Sequence, residues 1–104
     1  MVLAVLGLNH KTVSVDIREK FSISEESARE GLLHLSEQTG IKDAVVLSTC
    51  NRTEIYAVLK DEEDKEELYR FFLTLSGNSK AEKEYFFFYT GTECILSLIH
   101  ISEP

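Results

Sequence analysis

Apolar and polar positions follow two different periods along this chain, and the switches between them mark the elements. Val2 to Leu8 is a short, nearly continuous apolar run with β-branched residues, which predicts a strand buried on both faces. Asn9-His10-Lys11-Thr12 leaves it as a polar loop. Val13, Val15 and Ile17 then alternate with Ser14, Asp16 and Arg18, a pattern open to an extended segment or the start of a short turn. Ser22 and Ser24 each offer a helix N-cap, and Ser22 with Glu25 matches a capping box. Ala28, Leu32 and Leu35 recur at helical spacing, so a helix is expected to about Gln38, stopped by Gly40. Ala44 to Leu47 reads as a second buried strand. Thr53, Ile55, Ala57 and Leu59 alternate with Glu54, Tyr56, Val58 and Lys60 as a third. An acidic start at 61–64 opens a helix with the stripe Leu68, Phe71, Phe72 and Leu75, ended by Gly77-Asn78. Tyr85 to Tyr89 is an aromatic fourth strand, Gly91 breaks it, and Glu93 to Ile101 is placed to begin another helix.

The order β-α-β-β-α-β is the split βαβ or ferredoxin-like pattern. It predicts an α+β sandwich, an antiparallel sheet with its helices on one face. At 104 residues, with 43% hydrophobic and 28% charged residues, the chain suits one domain with a real core. It is too short for a dinucleotide fold plus a substrate domain. A net charge of −7 argues against a general nucleic-acid coat, which needs clustered Lys and Arg. No apolar run approaches the roughly 20 residues of a membrane span. The apolar start lacks the basic flank and cleavage site of a signal peptide, so a cytoplasmic location is expected. Cys50 and Cys94 are the two cysteines, too few for a disulfide framework and in no C-x-x-C. A metal site would have to recruit scattered His10, His34 and His100, so none is expected.

The chemistry concentrates in Ser48-Thr49-Cys50-Asn51-Arg52-Thr53-Glu54-Ile55-Tyr56. A cysteine in a polar turn after a buried strand is unusual, because free cysteine is ordinarily a small buried hydrophobe. Two readings of Cys50 stand on the residues alone, a nucleophile and a structural thiol. Arg52 is placed to stabilise a thiolate or to grip a carboxylate through two parallel hydrogen bonds. His10 has two readings as well. It is a proton-transfer partner for Cys50 if the first strand lies beside the second, or a loop side chain that fixes its turn. His34, on the polar side of its helix, reads as solvated.

Val5-Leu6-Gly7-Leu8-Asn9-His10-Lys11-Thr12, Ile17-Arg18-Glu19-Lys20-Phe21 and the Val46 to Tyr56 stretch together resemble the opening of the glutamyl-tRNA reductase family over roughly the first 95 residues. The resemblance implies the first committed step of tetrapyrrole (porphyrin) synthesis. A cysteine thiolate attacks the ester joining glutamate to its tRNA, and NADPH reduces the resulting thioester to glutamate-1-semialdehyde. Carried over, Cys50 is the nucleophile, Thr49, Asn51 and Arg52 line the glutamate pocket with it, and His10 is a possible supporting residue. The resemblance also implies a longer homodimeric protein, with an NADPH-binding domain outside these 104 residues. Glutamate-1-semialdehyde aminomutase is a further partner it suggests.

Two departures from the family pattern stand out. The family carries a histidine in the helix after the fourth strand, where this chain has Ser97, and His100 lies about one turn away. Residues 97–104 fit poorly, so a catalytic domain over 1–96 and an atypical tail, truncated or non-native, are expected. The rival reading is a non-catalytic ferredoxin-like module binding a small molecule or RNA, with Tyr85 to Tyr89 as its aromatics. Its acidic surroundings and the lack of a Lys/Arg-Gly-Phe run weigh against it.

Overall fold

The computed structural model describes residues 1–8, 11, 13–49 and 51–101, with side chains as far as Leu98. Asn9, His10, Thr12 and Cys50 lie outside the described residues, as do 102–104. Four strands form one antiparallel sheet: β1 (Val2–Leu8), β2 (Ile41–Ser48), β3 (Thr53–Leu59) and β4 (Phe86–Thr90). The strand order is β2-β3-β1-β4, the order that the split βαβ pattern requires. One expectation is corrected here. β1 does not lie beside β2, because β3 is inserted between them and pairs with both. Adjacency of the two strands is therefore no support for His10 as a partner of Cys50.

The helices follow the local signals with informative differences. The ambiguous segment after the first loop is helical, α1 (Val15–Lys20), capped by Ser14, whose hydroxyl accepts from the Ile17 N–H. The next helix, α2 (Glu25–Leu33), is capped by Ser24, not Ser22. The cause lies at Ile23, which is buried and donates its N–H to Ser48 Oγ at 3.1 Å. That bond holds the segment before Ser24 extended against the end of β2. The helix stops at Leu33, short of Gln38, and a 3-10 turn (Leu35–Glu37) finishes the connection. His34 at this break is exposed and pairs with Glu37 at 3.4 Å, the solvated role expected of it. α3 (Lys65–Ser76) ends at Gly77, whose φ of 78° suits the left-handed cap that glycine adopts without strain.

Alternation along the strands divides the core in two. Ala4, Leu6 and Leu8 of β1 and Ile55, Ala57 and Leu59 of β3 face α2 and α3, where they meet Leu68, Phe71, Phe72 and Leu75. Phe86 of β4 is the aromatic hub of this layer, edge-on to Phe21, Tyr69 and Phe72 at centroid distances of 5.1–5.6 Å. The main helices thus occupy one face, as the pattern predicts. The other face is not left open. α4 (Gly91–Ile101) lies against it, and Cys94 packs with Val5, Tyr56 and Phe87 in a second, smaller core. The helix runs unbroken across residues 96 and 97.

Candidate active site

The turn between β2 and β3 is built by Thr49. Its N–H donates to the Arg52 carbonyl at 2.8 Å, and its hydroxyl oxygen accepts from the N–H groups of Asn51 and Arg52, both at 3.2 Å. A threonine hydroxyl that satisfies two backbone donors fixes a tight turn without help from distant residues. Below it, Ser48 and Thr53 are cross-strand partners whose hydroxyls meet at 3.3 Å. Cys50, between Thr49 and Asn51 in the sequence, lies outside the described residues. Thr49 and Asn51 are exposed and Arg52 is half-buried. No carboxylate pairs with Arg52 among the described residues, so its guanidinium is not consumed by a structural ion pair. Of the predicted site residues, Thr49, Asn51 and Arg52 are therefore brought together. Asn9 and His10 lie outside the described residues.

Two residues along from Arg52, the sheet buries a carboxylate. Glu54 is 2% exposed and accepts from the Tyr56 hydroxyl at 3.1 Å. The strand period of two puts both side chains on the face covered by α4. Gly7 on β1 is the cross-strand neighbour of Glu54 on one side and of Phe87 on the other. A Cβ on Gly7 would stand 2.8 Å from Glu54 Cγ and 2.8 Å from the Phe87 ring, so the missing side chain is what admits both. Ser97 of α4 is a polar neighbour of the Tyr56 phenol. Glu54, Tyr56 and Gly7 belong to the stretches that carry the family resemblance, yet sequence reasoning gave them no role. The available signal was a Glu two residues before Tyr56, on the same face of the strand.

The charge of this pocket is readable in its neighbours. Burial pushes the Tyr56 phenol up to about 12, helped by the charge and hydrogen bond of Glu54 and opposed by the polar Ser97 side chain nearby. Burial, and then the Glu54 charge, also raise the Cys94 thiol. Cys94 is 1% exposed, so the second cysteine is an inert core thiol. A folded-state value above the unfolded value of about 10 means that Tyr56 adds stability below that pH, lost as pH rises through about 12. We expect urea stability to fall by on the order of 2–3 kcal/mol more in the parent than in Tyr56→Phe between about pH 9 and about pH 12. Parallel falls in the two proteins would refute the assignment.

The aromatic strand does not offer the open platform that the RNA-binding reading needs. Phe86 and Phe88 are packed toward the α2/α3 core, while Phe87 supports the small core under α4 and leans on Tyr89 at 5.0 Å. Among the described residues, no group of three or more His, Cys, Asp or Glu is placed to hold a metal ion, and no helix is long and apolar enough to cross a membrane.

Comparison with known proteins agrees with this geometry. The family model for the N-terminal domain of glutamyl-tRNA(Glu) reductase matches residues 6–103. A glutamyl-tRNA reductase of Desulforudis audaxviator is 38% identical over 103 residues, 98% of this chain and 23% of the relative. One from Synechocystis sp. is 49% identical over 78 residues, 75% of this chain and 18% of the relative. The solved glutamyl-tRNA reductase of Methanopyrus kandleri shares the fold, with a TM-score of 0.67 at 24% identity over 95% of this chain and 21% of that one. The chain thus spans about a fifth of the length of the curated relatives it matches.

Proposed function

The chain belongs to the family of glutamyl-tRNA reductase N-terminal domains, and on that footing we propose that it carries the acylation site of the reaction, with Cys50 as nucleophile. The observation that supports this reading most is the turn itself. Thr49 organises it from within, and Arg52 stands at its end with no carboxylate partner among the described residues. In the proposed step the Cys50 thiolate attacks the carbonyl carbon of the glutamyl ester. A C–S bond forms, the ester C–O bond breaks, and the ribose oxygen of the tRNA leaves and takes a proton. Arg52 holds the side-chain carboxylate of the glutamyl group through two charge-assisted hydrogen bonds, which fixes the carbonyl against the sulfur. Asn51, exposed beside it, and the Thr49 backbone complete the pocket wall.

Sulfur suits the step because a thiolate forms near neutral pH and a thioester accepts hydride where a carboxylate does not. NADPH, implied by the family, supplies that hydride when bound. The residues described here do not fit it. The five glycines, Gly7, Gly31, Gly40, Gly77 and Gly91, form no phosphate-cradling loop, and Gly7 is roofed by Glu54 and Phe87. No reduction step is therefore derived from this chain. Glutamyl-tRNA is the proposed substrate. We further propose that the protein acts as a homodimer in the cytoplasm and passes its product to glutamate-1-semialdehyde aminomutase.

The test is direct. The chain is incubated with glutamyl-tRNA charged with labelled glutamate, quenched in acid and digested. A glutamyl increment released by hydroxylamine is expected on the Cys50 peptide. An adduct confined to Cys94, or none at all, would overturn the reading.

A further inference from the structure

β2 is an edge of the sheet, hydrogen-bonded to β3 and, among the described residues, to no strand on its other side. Its last residue, Ser48, leads directly into the exposed Thr49 and the turn, so the placement of that turn depends on what holds the strand end. Pairing of Ser48 with Thr53 closes the ladder there. The second hold is a side chain. Ser48 Oγ accepts the Ile23 N–H at 3.1 Å and meets the Thr53 hydroxyl at 3.3 Å, and Thr53 is 2% exposed. Ile23, 25 residues away in sequence, belongs to a stretch that is itself fixed. The Asn78 side-chain amide donates to the Lys20 carbonyl at 2.8 Å, the Phe21 ring packs edge-on to Phe86 at 5.6 Å, and Ile23 is buried in the main core. A hydroxyl one residue before the turn thus fastens it to the packed body of the domain through partly buried bonds.

We propose that Ser48 is a positioning residue for the acylation site: its hydroxyl, shared by the Ile23 N–H and the Thr53 hydroxyl, holds the end of β2 against the stretch 20–23 and so fixes where the turn presents Thr49, Asn51 and Arg52. The proposal rests on the acylation reading. Its physical content is that acyl transfer tolerates little displacement of its reacting groups, whereas the end of an edge strand bonded along one side alone opens and shifts readily. Ser48 acts through the turn and touches no substrate.

Three variants separate this role from stability alone. Ser48→Ala removes the shared hydroxyl, and Ser48→Thr keeps one at the same place. Ser24→Ala is the control: it deletes the α2 N-cap at the residue after Ile23, a 3.1 Å bond to the Ser27 N–H, and leaves the Ser48 bonds in place. In Ser48→Ala, thioester formation at saturating glutamyl-tRNA is expected to slow about tenfold or more, with KM within about twofold. Exchange of the Thr49 amide, which closes the turn on the Arg52 carbonyl, is expected to quicken. Ser48→Thr and Ser24→Ala are expected to stay within about threefold of the parent in rate and to keep that amide protected. A folded Ser48→Ala protein with parental rate would overturn the proposal. So would Ser24→Ala slowed as much as Ser48→Ala, which would trace the loss to stability, or Ser48→Thr slowed as much, which would show that the hydroxyl is not the acting group. Should Ser48→Ala not fold, Thr53→Val removes the other hydroxyl at constant shape. Slowing by about threefold or more then supports the proposal, and a parental rate overturns it. A parent that forms no thioester brings down the acylation reading and this proposal with it. A parent that forms one, beside an unimpaired Ser48→Ala, brings down this proposal alone.

Discussion

Replacing Cys50 by serine is expected to abolish covalent capture of glutamate, lowering the rate of adduct formation by at least about a hundredfold. That factor corresponds to about 2.7 kcal/mol or more of lost transition-state stabilisation. The substitution is nearly isosteric, so the turn held by Thr49 keeps its hydrogen bonds to the Asn51 and Arg52 N–H groups. What changes is the nucleophile. A thiol with a pKa near 8.5 is a few per cent ionised at neutral pH, whereas a serine hydroxyl is essentially un-ionised without a general base beside it. The measurement is labelled glutamate retained on acid-precipitated protein, with Cys94→Ser as the companion. Cys94 is 1% exposed in the small core under α4, and its thiol is raised by burial and by the Glu54 charge, so its loss is expected to leave the adduct intact. Retention of label by Cys50→Ser, or its loss in Cys94→Ser with the fold preserved, would move the nucleophile elsewhere.

The contrast between the two cysteines shows what a sequence can and cannot disclose. The period of two along β3 and the helical stripe of Leu68, Phe71, Phe72 and Leu75 are local signals, and both elements form where the pattern places them. The strand order follows from the element order through general topology. Long-range bonds were not legible. Ser24 caps α2 because Ile23 is held by Ser48, 25 residues away, a choice no local capping box encodes. Covering of the second sheet face by α4 depends on Cys94 meeting Val5 and Tyr56 across three elements. In the site, Thr49, Asn51 and Arg52 were visible because they are consecutive with Cys50. Glu54 and Tyr56 were visible as letters of the same run, but their burial depends on Gly7 from one strand and Cys94 from α4. A residue's place in a turn is written locally, whereas the reason a carboxylate is tolerated in a core is written in its distant neighbours.

Arg52→Lys is the second large effect, and it separates charge from geometry. Both side chains are cationic, so a role limited to electrostatic attraction of an anionic substrate would survive the change. A guanidinium offers a planar pair of donors that matches the two oxygens of a carboxylate, while an ammonium is a point charge on a flexible stem. Losing one charge-assisted hydrogen bond is worth about 1.5–3 kcal/mol, roughly ten- to a hundred-fold. The loss is expected in the rate at sub-saturating glutamyl-tRNA, because the grip acts on bound substrate and on the transition state alike. Arg52 has no structural carboxylate partner among the described residues, so thermal stability is expected to move little. The discriminating substrate is glutaminyl-tRNA, whose side-chain amide is isosteric with the carboxylate but uncharged. The parent should prefer glutamyl over glutaminyl ester strongly, and Arg52→Lys should lose most of that preference by slowing on the glutamyl ester alone. If the variant acylates at the parental rate and keeps the preference, Arg52 is not the carboxylate clamp, and the binding of the glutamyl side chain must be sought in other residues around the turn.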